Sequence, residues 1–364
     1  MRDDAEPTPL ALHLVERIGR EGPISVRDYM DACLNHPEHG YYRTRGAIGA
    51  KEDFVTAPEI SQVFGELIGL WAGVVWQQMG APARVRLIEL GPGRGTLMRD
   101  ALRAARKVPG FCEALEVSLI EQNATLQAVQ RDTLRDAGVP IQWRGNLSTI
   151  ADEGAGRATI VIANEFLDVI PIDQLQFTDA GWVQRAVTVV GTSQLAFTDN
   201  NGRRVIPPRP GNFPIGTIIE QRDLAPLTAE LRRLAQAGPL AGLFIDYGYE
   251  GAATGSTLQA IRNQKYHDVF ARPGEADLTA HVDFAITASD FRAAGLAVDG
   301  PRDQATFLSA LGIAQRTSRL MAANPAAAGA LEAATARLIS PTGMGTLFKV
   351  IGVRSSNLSP LPGL

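Results

Sequence analysis

Cysteine is nearly absent from this chain. Cys33 and Cys112 are the only two in 364 residues. They are too few and too far apart for a disulfide framework or a four-thiolate zinc site, so nothing asks for an oxidising compartment and a cytoplasmic location is expected. Long apolar runs are missing too. The most hydrophobic stretches, Ala158 to Ala163 and Leu240 to Ile245, have the length of buried strands and fall short of the ~18 residues a membrane helix needs. The first residues, Met1-Arg2-Asp3-Asp4-Ala5-Glu6-Pro7, have neither the apolar core of a secretion signal nor the arginine-rich character of a mitochondrial presequence. No basic cluster occurs, and with a net charge of -4 the chain offers nucleic acid no electrostatic footprint.

What is present is the composition of an ordinary folded protein, 45% hydrophobic and 20% charged, enough to bury a sizeable core. Residues 1 to about 82 read as mainly helical. Leu10, Leu12, Leu14, Val15 and Ile18 suggest one amphipathic helix, Ser25 caps a second, and Ser61 to Met79 form a long third. A polar, Gly-rich segment, His36 to Ile60, lies between them. From Arg84 onward short β-branched runs alternate with helical stretches: Val85 to Glu89, Leu97 to Arg106, Leu115 to Glu121, Ala124 to Ala137, Ile141 to Trp143, Thr159 to Ala163. That alternation predicts βαβ units and a parallel sheet. Segments around Asp173 to Phe177, Trp182 to Val190 and Leu195 to Phe197 read as antiparallel strands inserted in or added to the sheet. A helix from Leu224 to Ala237, a buried strand from Ala241 to Tyr247, Ala-rich helices from Thr306 to Leu338 broken at Asn324-Pro325, and a closing strand from Thr346 to Ile351 complete the pattern. Pro207-Pro208-Arg209-Pro210-Gly211 is a low-complexity loop. The expected division is an N-terminal helical extension with a lid segment, residues 1–82, and an α/β domain, residues 83–364, with insertions at about 172–215 and 300–340.

The strongest motif runs from Leu87 to Leu97: a hydrophobic strand ending in Glu89, then Gly91, Gly93 and Gly95, then a helix. Glycine at these places lets a ligand lie against bare main chain at the C-terminal edge of the sheet. A dinucleotide fingerprint wants its third Gly at position 96, where Thr96 stands, and this disfavours a nicotinamide-dependent oxidoreductase. A Gly-rich turn without ligand is the plain alternative. Glu121, closing the next strand, is placed to accept hydrogen bonds from two ribose hydroxyls. Asn146, after the third strand, offers an amide to an adenine edge or is a simple turn residue. The fourth strand ends in Asn164, then Glu165, and Asp168 follows. Two carboxylates on one strand-to-helix turn can grip a cationic group, or Asp168 caps a helix and Glu165 is solvated. His281 is a candidate proton acceptor or a structural histidine. His36 and His39 have H-x-x-H spacing, but Pro37 between them favours a turn and no third ligand is near, so no metal is expected.

Glu89 with the G-x-G-x-G loop resembles motif I of class I S-adenosylmethionine-dependent methyltransferases, in which the acid and loop hold the amino-acid end of the cofactor. Further segments make the resemblance more specific: Val26 to Met30, His36 to Tyr42, Asp53 to Glu66, Glu89 to Thr96, Asn164 to Asp168, Asp246-Tyr247-Gly248 and Asp277 to Phe284. Together they resemble the MidA-like family, bacterial and mitochondrial methyltransferases whose mitochondrial member assists assembly of respiratory complex I. The resemblance covers most of the chain. It implies an α/β fold, the class I methyltransferase Rossmann-like sheet with an N-terminal helical extension and inserted antiparallel strands and helices. It also implies S-adenosylmethionine as cofactor, with Glu89, Gly91, Gly93, Gly95, Glu121, Asn146 and Asn164 as the cofactor-binding set. Glu165, Asp168 and His281 form the expected catalytic set. For the mitochondrial branch the acceptor implied is an arginine of a complex I subunit, so a protein substrate is the expected partner, and a homodimer is compatible with the chain. The His36 to Glu59 segment would then be a lid over the cofactor or substrate mouth. The rival from another class is a non-catalytic assembly chaperone that keeps a cofactor pocket.

Overall fold

The computed structural model describes residues 6–44, 56–151, 156–207, 211–251 and 253–364. They gather into two compact units, and neither is a continuous stretch. The sheet unit comprises Val55–Leu167, Leu224–Gly251 and Val282–Leu364; the second unit comprises Met1–Phe54, Asp168–Asp223 and Ala252–His281. One cut near residue 82 does not separate them: the long third helix belongs with the sheet, while the first two helices belong with strands more than 100 residues later. Residues 45–55 of the expected lid, with Gly46, Gly49 and the Asp53 to Val55 part of the resemblance, lie outside the described residues. So do 208–210 of the proline-rich loop.

Among the described residues the sheet unit holds an eight-stranded sheet, in which the short strand Val282–Asp283 lies off a path of seven: β1 (Val85–Leu90), β2 (Leu115–Ile120), β3 (Ile141–Arg144), β4 (Ala158–Asn164), β5 (Leu240–Tyr249), whose end pairs parallel with that short strand, β6 (Ala297–Asp303) and β7 (Phe348–Arg354). Their order is β6-β7-β5-β4-β1-β2-β3. The pairs from β5 through β3 are parallel, and β7 runs antiparallel to both β5 and β6. Every residue of β1 is buried, and its unbroken run of inward positions suits a parallel strand covered on both faces. From β1 the chain builds outward through β2 and β3, then returns to start β4 on the other side. That reversal between β1 and β4 is the switch point where open α/β sheets bind ligands, beyond the C-terminal strand ends.

The helix Gln62–Gln78, capped by Ser61 through its hydroxyl to the Val63 amide at 3.2 Å, packs on the helix Thr96–Ala105 that follows the glycine loop. Gly65, Gly69 and Gly73 recur every four residues and so share one helix face. A methyl group on Gly65 would lie 2.8 Å from the Asp100 Cβ, and one on Gly69 would run into the Ala101 main chain. The two backbones are thus in close approach, which anchors the N-terminal end of the loop's helix.

The second unit holds the helices Pro9–Glu21 and Val26–Asn35. Its larger sheet orders the strands Ile24–Ser25, Gly181–Val190, Ile172–Thr178 and Ile218–Arg222, with Gln194–Arg204 also paired to Gly181–Val190. A three-stranded sheet, Gln259–Arg262 between Lys265–His267 and Asp277–Thr279, completes it. Leu10, Leu14, Tyr29 and Met30 share a core with Ile172, Val187 and Leu278. The antiparallel strands therefore form sheets of their own and do not extend the central one. The strand Ile218–Arg222 escapes sequence reading because it carries Glu220, whose carboxylate is buried by accepting from the Thr257 and Leu258 amides.

The glycine face makes a test. Gly69→Ala should destabilise the sheet unit by about 1–3 kcal/mol, the usual effect of overpacking. Gly329→Ala, in the helix Ala328–Ile339 with nothing within 4 Å of the added carbon, should leave stability unchanged or raise it by a few tenths up to about 1 kcal/mol. Urea unfolding of both variants checks the pair, and equal effects would mean that the helix approach is not tight.

Candidate active site

Between β1 and its helix the loop Gly91-Pro92-Gly93-Arg94-Gly95 turns with φ of 61°, 51° and 81° at its glycines, a region that side chains rarely tolerate. Their surroundings differ. A carbon on Gly91 would lie 3.2 Å from the Phe166 ring, and one on Gly95 would meet Gln130 and Leu134 at 3.5 Å, whereas Gly93 faces nothing within 4 Å. The outer two glycines serve packing, and Gly93 presents bare main chain to open space.

Glu89 precedes the loop, 3% exposed, and its Oε2 has no hydrogen-bond partner among the described residues. Burial pushes its carboxyl up to about 8. On the neighbouring strand, Asn164 at the end of β4 donates through Nδ2 to Glu165 Oε1 at 3.0 Å, while its buried Oδ1 is likewise unpartnered. Two orphaned acceptors at adjacent strand ends, beside a loop of bare main chain, call for a ligand that brings donors. The ammonium of an amino acid is such a donor, so these residues fit the amino-acid end of S-adenosylmethionine. Glu165 stands next in the turn with φ of 52°, unusual for a residue with a side chain and typical of strained functional sites. Its amide donates to the Ile245 carbonyl at 2.9 Å and its Oε1 accepts from the Ala57 amide at 3.2 Å. The turn is held from β5, where the fully buried Asp246 accepts from the Phe166 and Leu167 amides at 3.1 and 2.8 Å.

Glu121 follows β2. Its Oε1 accepts from the Asn123 amide at 2.7 Å and its Oε2 lies 3.4 Å from Gln130 Nε2. Asn146 is exposed, and its Oδ1 accepts from Ser148 Oγ at 2.6 Å and the Thr149 amide at 3.2 Å. That is the turn-residue arrangement, with the side-chain amide left for other work.

Asp168 and His281 belong to the second unit. Asp168 is 4% exposed, and its carbonyl accepts from the Ala280 amide at 3.1 Å. Near it, Tyr42 donates to Asp277 Oδ1 at 3.1 Å, and burial, then the Asp277 and Asp168 charges, push the Tyr42 hydroxyl well above its ordinary value. The His281 amide donates to Thr257 Oγ1 at 2.9 Å. Burial lowers the His281 pKa, opposed by Glu220 and aided by Arg222, so its imidazole is neutral at pH 7. Arg222 ties the two segments together, donating to the carbonyls of Ile170 and Ala280 at 3.1 and 2.8 Å. His36 Nδ1 accepts from the Glu38 and His39 amides at 3.3 and 3.2 Å, so H-x-x-H here serves a turn. Among the described residues no group of three His, Cys, Asp or Glu is placed to hold a metal ion. Sequence reading gave no role of their own to Asp246, Gln130 or Arg222, and took Tyr42 only as part of the lid segment. The first two betray themselves only as polar residues at strongly buried positions.

The state of Glu89 sets a pH dependence. Its folded pKa lies above the ordinary carboxyl value of 4.5, so the folded protein holds a proton that the unfolded chain has lost. This contribution to stability is fully present below about pH 4.5 and is lost as pH rises towards 8. Glu89→Gln, which is always neutral, should match the parent near pH 4.5 and melt increasingly higher than it towards pH 8, without ligand. A difference in melting temperature that stays constant over this range would overturn the assignment.

Comparison with known proteins bears on this geometry. A family described as "Putative S-adenosyl-L-methionine-dependent methyltransferase" matches residues 67–302. The chain is 34% identical over 385 residues to "Protein arginine methyltransferase NDUFAF7, mitochondrial" of Mus musculus, covering 94% of this chain and 83% of the mouse protein. The Drosophila melanogaster homolog is 34% identical over 386 residues, covering 97% and 87%. Among solved structures, a "likely methyl transferase" from Burkholderia thailandensis, bound to S-adenosyl-homocysteine, is 27% identical with a TM-score of 0.81, covering 98% of this chain and 97% of that one. The strand order, the glycine loop with its orphaned acid, and a match over nearly the whole chain converge: this chain belongs to the family of putative S-adenosyl-L-methionine-dependent methyltransferases.

Proposed function

We propose that this methyltransferase modifies an arginine side chain of a partner protein, in the cytoplasm, with the counterpart of a respiratory complex I subunit as acceptor. The observation that carries the reading is Glu165, a carboxylate held in a left-handed turn at the C-terminal edge of β4. The names of the mouse and fly relatives as protein arginine methyltransferases support it. A catalytic role is favoured over that of a cofactor-keeping chaperone by the same relatives.

In this reading Glu89 and Asn164 accept from the ammonium of the cofactor, the Gly93 main chain lies along its amino-acid end, Glu121 grips the ribose and Asn146 offers its amide to the adenine. When bound, the cofactor supplies a methyl group on a sulfonium, which leaves as a neutral thioether. A guanidinium stays protonated in water, pKa above ~12, and is a poor nucleophile. Glu165 hydrogen-bonds it and draws positive charge away from the attacking nitrogen. Transfer would form the N–C bond as the S–C bond breaks, and the nitrogen would then give up its proton to solvent. The protein otherwise supplies orientation and exclusion of water.

The decisive experiment is transfer of labelled methyl from S-adenosylmethionine to the bacterial counterpart of the complex I subunit, with the site mapped by mass spectrometry. Arginine should carry the label; label on lysine, on a small molecule or nowhere defeats the reading. Glu165→Gln keeps the shape and removes the charge. It should lower kcat by roughly 100-fold or more while S-adenosylhomocysteine affinity changes by less than about 3-fold, the signature of an interaction made mainly in the transition state. Gly93→Val puts a branched side chain at φ 51° into the open face of the loop, and calorimetry should find S-adenosylhomocysteine binding abolished with the fold retained. Unchanged affinity there would move the cofactor elsewhere.

A further inference from the structure

The helix Ala124–Thr133, between β2 and β3, has ten residues, and Gln130 alone among them is buried. A buried amide without partners is destabilising, so such a position ordinarily holds an apolar residue. Here the amide is fully employed. Gln130 Nε2 donates to the Gly93 carbonyl at 2.7 Å and lies 3.4 Å from Glu121 Oε2, and its Oε1 accepts from Trp143 Nε1 at 2.8 Å. The three partners come from the glycine loop, the end of β2 and β3.

The chemistry of that junction is specific. The Gly93 carbonyl and the Glu121 carboxylate are both acceptors, and brought together they repel unless a group with two hydrogens stands between them. Trp143 presents a donor and requires an acceptor on the same side chain. Lysine and arginine bring hydrogens but no acceptor, and a carboxylate brings acceptors but no hydrogen. Among side chains of this length the requirement is met by glutamine. The loop also lies against it: a carbon on Gly95 would stand 3.5 Å from Gln130 Cγ, at van der Waals contact.

We infer that Gln130 is a positioning residue of the cofactor site, whose amide locks the Gly93 main chain and the Glu121 carboxylate into the single arrangement that receives S-adenosylmethionine. This rests on the placement of the cofactor against Gly93 and Glu121 in the proposed function. Gln130 touches no reacting atom and acts through Glu121 and the loop, so it governs cofactor binding and leaves the methyl-transfer step unaltered.

The test is a double-mutant cycle on the full chain, with S-adenosylhomocysteine titrated by calorimetry and KM and kcat for S-adenosylmethionine measured beside it. Gln130→Met should weaken S-adenosylhomocysteine binding by about 10- to 100-fold, the range for losing a hydrogen bond to a charged group. It should raise KM by a similar factor and hold kcat at saturating cofactor within about 3-fold of the parent. In a Glu121→Gln background the same change should weaken binding by less than about 3-fold, because the group it positions is already lost. Gln130→Glu retains the shape and the acceptor for Trp143 while removing the donor, and should reproduce the loss if Gln130→Met does not fold. An equal loss in both backgrounds would make Gln130 a packing residue and overturn the inference, as would no loss in either. If Glu121→Gln by itself leaves affinity unchanged, the cofactor placement fails, and the inference falls with it for that separate reason.

Discussion

The edge of the sheet where the chemistry is proposed takes its shape from one buried carboxylate. Asp246, near the end of β5 and fully buried, accepts from the amides of Phe166 and Leu167 and from that of Tyr247. These bonds fix the course of the chain as it leaves β4, and Glu165 is the residue that must take φ of 52° to follow it. A side chain in that region carries a conformational penalty of order 1–3 kcal/mol, which the hydrogen bonds of Asp246 are placed to offset. The same turn sets the Phe166 ring against Gly91. The loop after β1 and the turn after β4 therefore constrain each other.

Glu89 and Asp246 show two ways in which a sheet buries an acid. Asp246 is surrounded by amide donors and is part of the scaffold. Glu89 has an oxygen with no partner among the described residues, and desolvation drives it towards the neutral form. In sequence the two look alike, each an acid near the end of an apolar strand. Only the hydrogen-bond partners separate the structural carboxylate from the one proposed to meet a ligand.

The central sheet was legible because its strands are apolar runs of the right length between Gly-marked turns, and the glycine loop because its spacing differs from the dinucleotide form. Among the strands that escaped reading, which include all three of the small sheet from Gln259 to Thr279, Ile218–Arg222 and Ala297–Asp303 carry Glu220 and the Gly300-Pro301 pair, residues that propensity assigns to loops and that tertiary pairing overrides. The separate antiparallel sheets could not be read from alternation alone, since alternation reports one covered face and not what covers it. The candidate site was legible where a motif fixes backbone geometry, as at Gly93, and illegible where function rests on a polar side chain in an apolar place, as at Gln130.

The threading of the chain between two units bears on its birth at the ribosome. The helices Pro9–Glu21 and Val26–Asn35 emerge early, yet their apolar faces are covered by Ile172, Val187 and Leu278, which are made more than 100 residues later. The central sheet waits as well: β5 lies between β4 and β7, and β7 begins only at Phe348, long after β5 ends at Tyr249. Non-local pairing of this kind slows folding and leaves apolar faces uncovered meanwhile. The polypeptide therefore carries incomplete cores until these distant partners have been made, and the nascent chain, more than the finished protein, is the form most exposed to chaperones and proteases.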